Sequence, residues 1–97
     1  MFKAADIAFQ NERFFISGEL CFANVVSVYR KSLLALDKAA TLDFDFSQLK
    51  SSDSSGLALM LEWTRFAKKN NKPIQFVSVS SELQQIAKTA GLSEFIV

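Results

Sequence analysis

Leu42-Asp43-Phe44-Asp45-Phe46 alternates apolar with acidic side chains, and after a polar connection the chain reads Asp53-Ser54-Ser55-Gly56-Leu57-Ala58-Leu59-Met60-Leu61-Glu62-Trp63. The alternation puts Leu42, Phe44 and Phe46 on one face of a strand. Ser47 to Ser55 is expected to be a loop. Gly56 then opens a helix predicted to run to about Asn70, because apolar residues recur with helical period. Asp and Ser are favoured at helix starts, and Gly permits a tight entry. At about 100° per residue, Leu57, Leu59, Met60, Leu61, Trp63, Thr64, Phe66 and Ala67 sweep an arc of roughly 220°. A helix lying on a sheet needs an apolar stripe of about 100° or a little more. The excess is open to two readings: cover by neighbouring helices, or a docking surface that starts beside Ser54.

Outward from this unit the pattern continues. Ile7 to Phe9 and Arg13 to Ser17 form a predicted hairpin across Gln10-Asn11-Glu12, with Gly18 ending its second strand. Val25, Val28, Tyr29, Ser32, Leu33 and Leu36 share a helical stripe, and Asn24 is the expected N-cap. Lys68, Lys69 and Lys72 sit at the C-terminal end of the second helix, where cations suit the helix dipole. Pro73 introduces a strand over Ile74 to Val79. Ser81 and Gln84 fit a capping box for a third helix carrying Leu83, Ile86, Ala87 and Ala90, closed by Gly91. Leu92, Phe95 and Ile96 are expected to dock on the core. The order is β-β-α-β-α-β-α over one domain, residues 1–97: an α/β fold with a mixed sheet of four strands and three helices.

Composition limits the chemistry. Of 97 residues, 49% are hydrophobic and 22% charged, the balance of a globular domain, and ten of the aromatic residues are Phe. Net charge is +1, too little to seek nucleic acid. There is no His, so neither a Ser-His-Asp triad nor imidazole metal ligation is available. The single Cys21 forms no internal disulfide and is expected to be a small apolar side chain. Gly18, Gly56 and Gly91 are too far apart for a phosphate-binding glycine loop. Asp43 and Asp45 have the spacing of a carboxylate pair, although no further titratable cluster accompanies them. The longest uncharged run, Leu20 to Tyr29, is about half of the ~20 residues that span a bilayer, and the N-terminus lacks the apolar core of a signal peptide. No cofactor, metal or catalytic residue is expected.

The motif Asp53-Ser54-Ser55-Gly56-Leu57, with the preceding strand, resembles the signature of STAS domains, best known from bacterial anti-sigma factor antagonists. Gly18-Glu19-Leu20-Cys21-Phe22-Ala23-Asn24-Val25 and Asp53 to Trp63, followed by Leu83 to Ile96, look like the MlaB-type STAS proteins of Gram-negative bacteria. That resemblance implies a cytoplasmic, non-catalytic accessory subunit. It would bind the ATPase of an ABC transporter that moves phospholipids between inner and outer membranes, maintaining outer-membrane lipid asymmetry. It would reach the inner membrane through this partner, without direct insertion, and self-association is left open. Asp53, Ser54, Ser55, Gly56 and Leu57 would form the partner-binding site. Ser54 occupies the hydroxyl position that anti-sigma antagonists use for phosphorylation, so a phospho-switched antagonist is the alternative function. Those antagonists usually carry Asp where this chain has Cys21, which weighs against it. A Ser-nucleophile enzyme using Ser54 is disfavoured, since no His exists to act as base and the motif is not Gly-x-Ser-x-Gly.

Overall fold

The computed structural model describes residues 2–92. Four strands and three helices follow the expected order: β1 (Asp6–Gln10), β2 (Arg13–Leu20), α1 (Val25–Leu36), β3 (Leu42–Ser52), α2 (Ser55–Lys69), β4 (Ile74–Val77) and α3 (Ser81–Thr89). The strands lie in the order β1-β2-β3-β4, with β1 antiparallel to β2 and the remaining pairs parallel. Asn11 and Glu12 both have positive φ, which gives the β1–β2 hairpin the twist of a two-residue type I′ turn. The two βαβ crossovers step in the same direction, so a common right hand places α1 and α2 on the same sheet face.

That face is apolar because the strand periods agree. Phe9, Phe14, Phe44 and Phe76 occupy directly paired positions, one on each strand. Their rings form a row with centroid separations of 4.6, 4.8 and 5.6 Å, and Trp63 of α2 stacks on Phe44 at 4.0 Å. Phe14, Ile16, Phe44, Phe46 and Phe76 are buried as expected, and Leu61 packs half-buried against them. Ser32 belongs in the apolar stripe of α1 for a specific reason. Its hydroxyl accepts from the Trp63 indole N–H at 3.0 Å and donates to the Tyr29 carbonyl at 2.6 Å, so both buried polar groups are satisfied.

Several local expectations are corrected. β2 does not stop at Gly18 but passes through it to Leu20. Gly18 has φ +79°, and a Cβ there would stand 2.5 Å from the Ala4 carbonyl oxygen; the glycine admits a crossing backbone rather than ending a strand. β3 runs on through Ser47–Ser52, read from sequence as loop. Two register shifts against β2, between Phe15 and Ser17 and between Gly18 and Glu19, fit the longer strand to the shorter one. β4 ends at Val77 because Ser78 takes φ +59°. Ser80, not Ser81, caps α3, its hydroxyl accepting from the Leu83 N–H at 3.1 Å, while the Gln84 amide donates to the Val79 carbonyl. Gly91, at φ +75°, closes α3 as expected, with Leu92 N–H bonded to the Ala87 carbonyl at 2.8 Å. Leu33 is exposed despite its place in the apolar stripe. Lys72 serves α1 rather than α2. Its ammonium donates to the Leu36 and Asp37 carbonyls at 2.8 and 2.9 Å, satisfying acceptors at that helix's C-terminus. Leu92 packs against the core, whereas Phe95 and Ile96 lie outside the described residues.

Candidate functional site

β2 and β3 are parallel neighbours, and Leu20 pairs with Ser52 at their carboxyl ends. α1 and α2 therefore start side by side, and the segments before them, Cys21–Asn24 and Asp53–Ser54, share one edge of the fold. Asn24 stands at the N-cap position of α1 as expected, but its side chain closes the first segment instead of bonding the helix N–H groups. Its side-chain oxygen accepts from the Cys21 N–H at 3.0 Å, and its amide donates to the Glu19 carbonyl at 2.9 Å. Cys21 is half-buried and free.

The second segment is organised by Asp53. Its carboxylate accepts from the Ser55 N–H at 2.8 Å and from the Ser55 hydroxyl, making Asp53 the side chain that caps α2. The Ser55 hydroxyl, followed by the Ser55 and Phe22 backbone N–H groups, holds the Asp53 carboxyl below the usual carboxylate range. Ser54, by contrast, makes no capping bond and stands exposed at the helix mouth. Ser55 and Gly56 are buried, and Leu57 is only 7% exposed. Of the five residues singled out from sequence, only Asp53 and Ser54 present side chains at the surface.

Gly56 is required by packing. A Cβ on it would lie 2.2 Å from the Ser52 hydroxyl oxygen and 3.4 Å from Leu83 Cδ1 of α3. Gly56→Ala should destabilise the domain by about 1–3 kcal/mol, overpacking outweighing the roughly 0.5–1 kcal/mol helix preference for Ala. Chemical denaturation checks this, and Ser52→Ala combined with Gly56→Ala should recover part of the loss. A Gly56→Ala single variant as stable as the parent would contradict the close approach.

The wide apolar arc of α2 is resolved mostly as core. Leu57, Leu59, Met60, Trp63 and Ala67 are buried because α1 covers one flank of α2 and α3 the other. What stays open is a groove between the first turns of α1 and α2, of about 190 Å³, lined by Val25, Val26, Tyr29, Ala58, Leu59 and Glu62. Phe22 is 71% exposed and Val26 55%. Sequence reasoning missed both. Val26 is out of phase with the buried stripe of α1, a legible signal; Phe22 carries none in a chain so rich in Phe. Asp43 and Asp45 project from the sheet face opposite the aromatic row. Asp45 pairs with Arg13 at 3.6 Å and accepts from the Ser47 N–H. Among the described residues, no group of three His, Cys, Asp or Glu side chains could hold a metal ion, and no helix is long and apolar enough to cross a membrane.

A four-stranded mixed sheet carrying three helices is also the fold of solved anti-sigma factor antagonists. The Bacillus cell fate determinant SpoIIAA superposes in its phosphorylated form with TM-score 0.69 at 22% identity, covering 97% of this chain and 89% of that one. The unphosphorylated form of SpoIIAA gives TM-score 0.73 at 22% identity, covering 97% and 86%. RsbS of Moorella thermoacetica gives 0.62 at 15%, covering 98% and 80%. At these identities the likeness fixes the fold alone. The family model described as "Mlab, STAS domain" matches residues 4–97, and the chain belongs to the STAS domain family, whose members are protein-interaction modules. No curated protein matches it in sequence.

Proposed function

We propose that this STAS domain is a non-catalytic accessory subunit that docks on the ATPase of an ABC transporter moving phospholipids between inner and outer membranes. The observation that carries the proposal is the exposed Ser54 beside the Asp53 clasp, at an edge where the flanking side chains are small or apolar. Ser54 is exposed and its side chain makes no capping bond, so a partner can approach the start of α2 closely there. Specificity for a lipid-transport ATPase is inferred from the sequence likeness of Gly18–Val25 and Asp53–Trp63 to MlaB-type proteins. The chain would then sit in the cytoplasm, held near the inner membrane by that ATPase.

Purified alone, the protein should hydrolyse neither ATP nor esters. Added to its cognate ATPase, it should raise that enzyme's melting temperature or change its turnover. Robust hydrolysis by the isolated domain would overturn the proposal. A second reading, an anti-sigma factor antagonist switched by phosphorylation, is favoured by the accessibility of the Ser54 hydroxyl. Stoichiometric phosphorylation of Ser54 by an anti-sigma kinase, with no effect on the ATPase, would establish it instead.

A further inference from the structure

We infer that the groove between α1 and α2 receives an amphipathic helix of the partner, carrying aliphatic residues one turn apart beside a Lys or Arg. The inference rests on the docking proposal above and names the chemistry of what docks. Its first support is shape. Two adjacent helices leave a furrow that accepts a third helix by ridge-into-groove packing. The groove's 190 Å³ suffices for an inserted side chain, since an apolar space of roughly 150 Å³ holds a benzene ring. Its second support is the exposed apolar rim. Val26 lines that furrow and exposes a large apolar side chain to solvent, and so does Phe22 in the segment leading into α1, the composition of an interface anchor.

Charge selects among apolar helices. Glu62 is the one charged residue lining the groove. Asp53 adds a second carboxylate beside the α2 N-terminus, held ionised by its bonds to Ser55, and the Phe22 backbone lies against it. Arg65 contacts Glu62 at 2.9 Å, but the pair is solvent-exposed and weak enough for an incoming cation to share or displace. A helix with Lys or Arg flanking its apolar ridge meets these carboxylates, whereas one flanked by Glu meets like charge.

The test uses two synthetic amphipathic helical peptides of about 15 residues, alike in their Leu ridge, one flanked by Lys and the other by Glu. They are titrated into isotope-labelled protein. The Lys peptide should shift the amide signals of Val25, Val26, Tyr29, Ala58 and Leu59, and bind at least about tenfold more tightly than the Glu peptide. Phe22→Asp and Val26→Asp, both at exposed positions, should leave the melt unchanged and weaken that peptide about tenfold or more. No binding of the Lys peptide, equal binding of both, or undiminished binding by Val26→Asp would overturn the inference. So would a concentration-dependent dimer that Val26→Asp dissolves, which would seat a second copy of the chain in the groove. The two proposals fail separately. Loss of ATPase binding by Ser54→Arg but not by Val26→Asp removes the groove alone. A groove that takes the Lys peptide in a chain that no ATPase binds removes the docking proposal alone.

Discussion

Ser54→Arg should weaken binding to the cognate ATPase about 100-fold or more while the domain melts as the parent does. The side chain is exposed and makes no capping bond, so its replacement disturbs nothing inside the free protein. In a close-packed interface the same replacement introduces a charge that must be desolvated without a partner, at several kcal/mol, or that forces the surfaces apart. Every 1.4 kcal/mol is tenfold in affinity. Ser54→Glu should act in the same direction and stay folded, since a negative charge beside a helix N-terminus is favourable by roughly 0.3–1 kcal/mol. Ser54→Ala removes a hydroxyl alone and should bind nearly normally. If Ser54→Ala abolished function in cells while still binding the ATPase, the hydroxyl itself would matter and phosphorylation would become the leading account.

Phe44→Ala should cost about 3–5 kcal/mol, the range of large-to-small changes in a packed core. Phe44 is fully buried and contacts the rings of Phe14, Phe76 and Trp63, so its loss opens a cavity at the centre of the aromatic row. For a domain of this size the melting temperature should fall by more than about 10 °C. Phe44→Leu retains apolar volume but loses the ring contacts, and should lie between parent and Ala variant. Phe15→Ala, on the opposite face of β2 at a half-buried position, should cost less than Phe44→Ala. A Phe44→Ala variant that melts like the parent would place the core elsewhere.

The parts of the fold that were legible are those where local pattern and tertiary demand coincide. Leu42, Phe44 and Phe46 alternate because one sheet face is buried, and the helical stripes of α1 and α2 repeat for the same reason. The second half of β3 was not legible. Each bulge resets the in–out phase, so Ser47 to Ser52 shows no alternation although it is paired with β2. Gly18 reads locally as a stop, while its actual role depends on Ala4, a residue that periodicity does not connect to it. At the site, the motif Asp53 to Leu57 was visible as a helix start. Its division into an exposed Ser54 and a buried Leu57 needed the flanking positions of α1 and α3. The same flanks decide that most of the α2 arc is core and leave the groove beside Val26 open.

The most direct test of the docking account is a calorimetric titration of the purified domain into the purified ATPase of the cognate lipid transporter, with the Ser54→Arg domain as control. The account predicts a saturable complex with the parent and little or no heat with the Arg variant. Equal binding by both would place the interface away from Ser54, and no binding by either would contradict the accessory-subunit assignment.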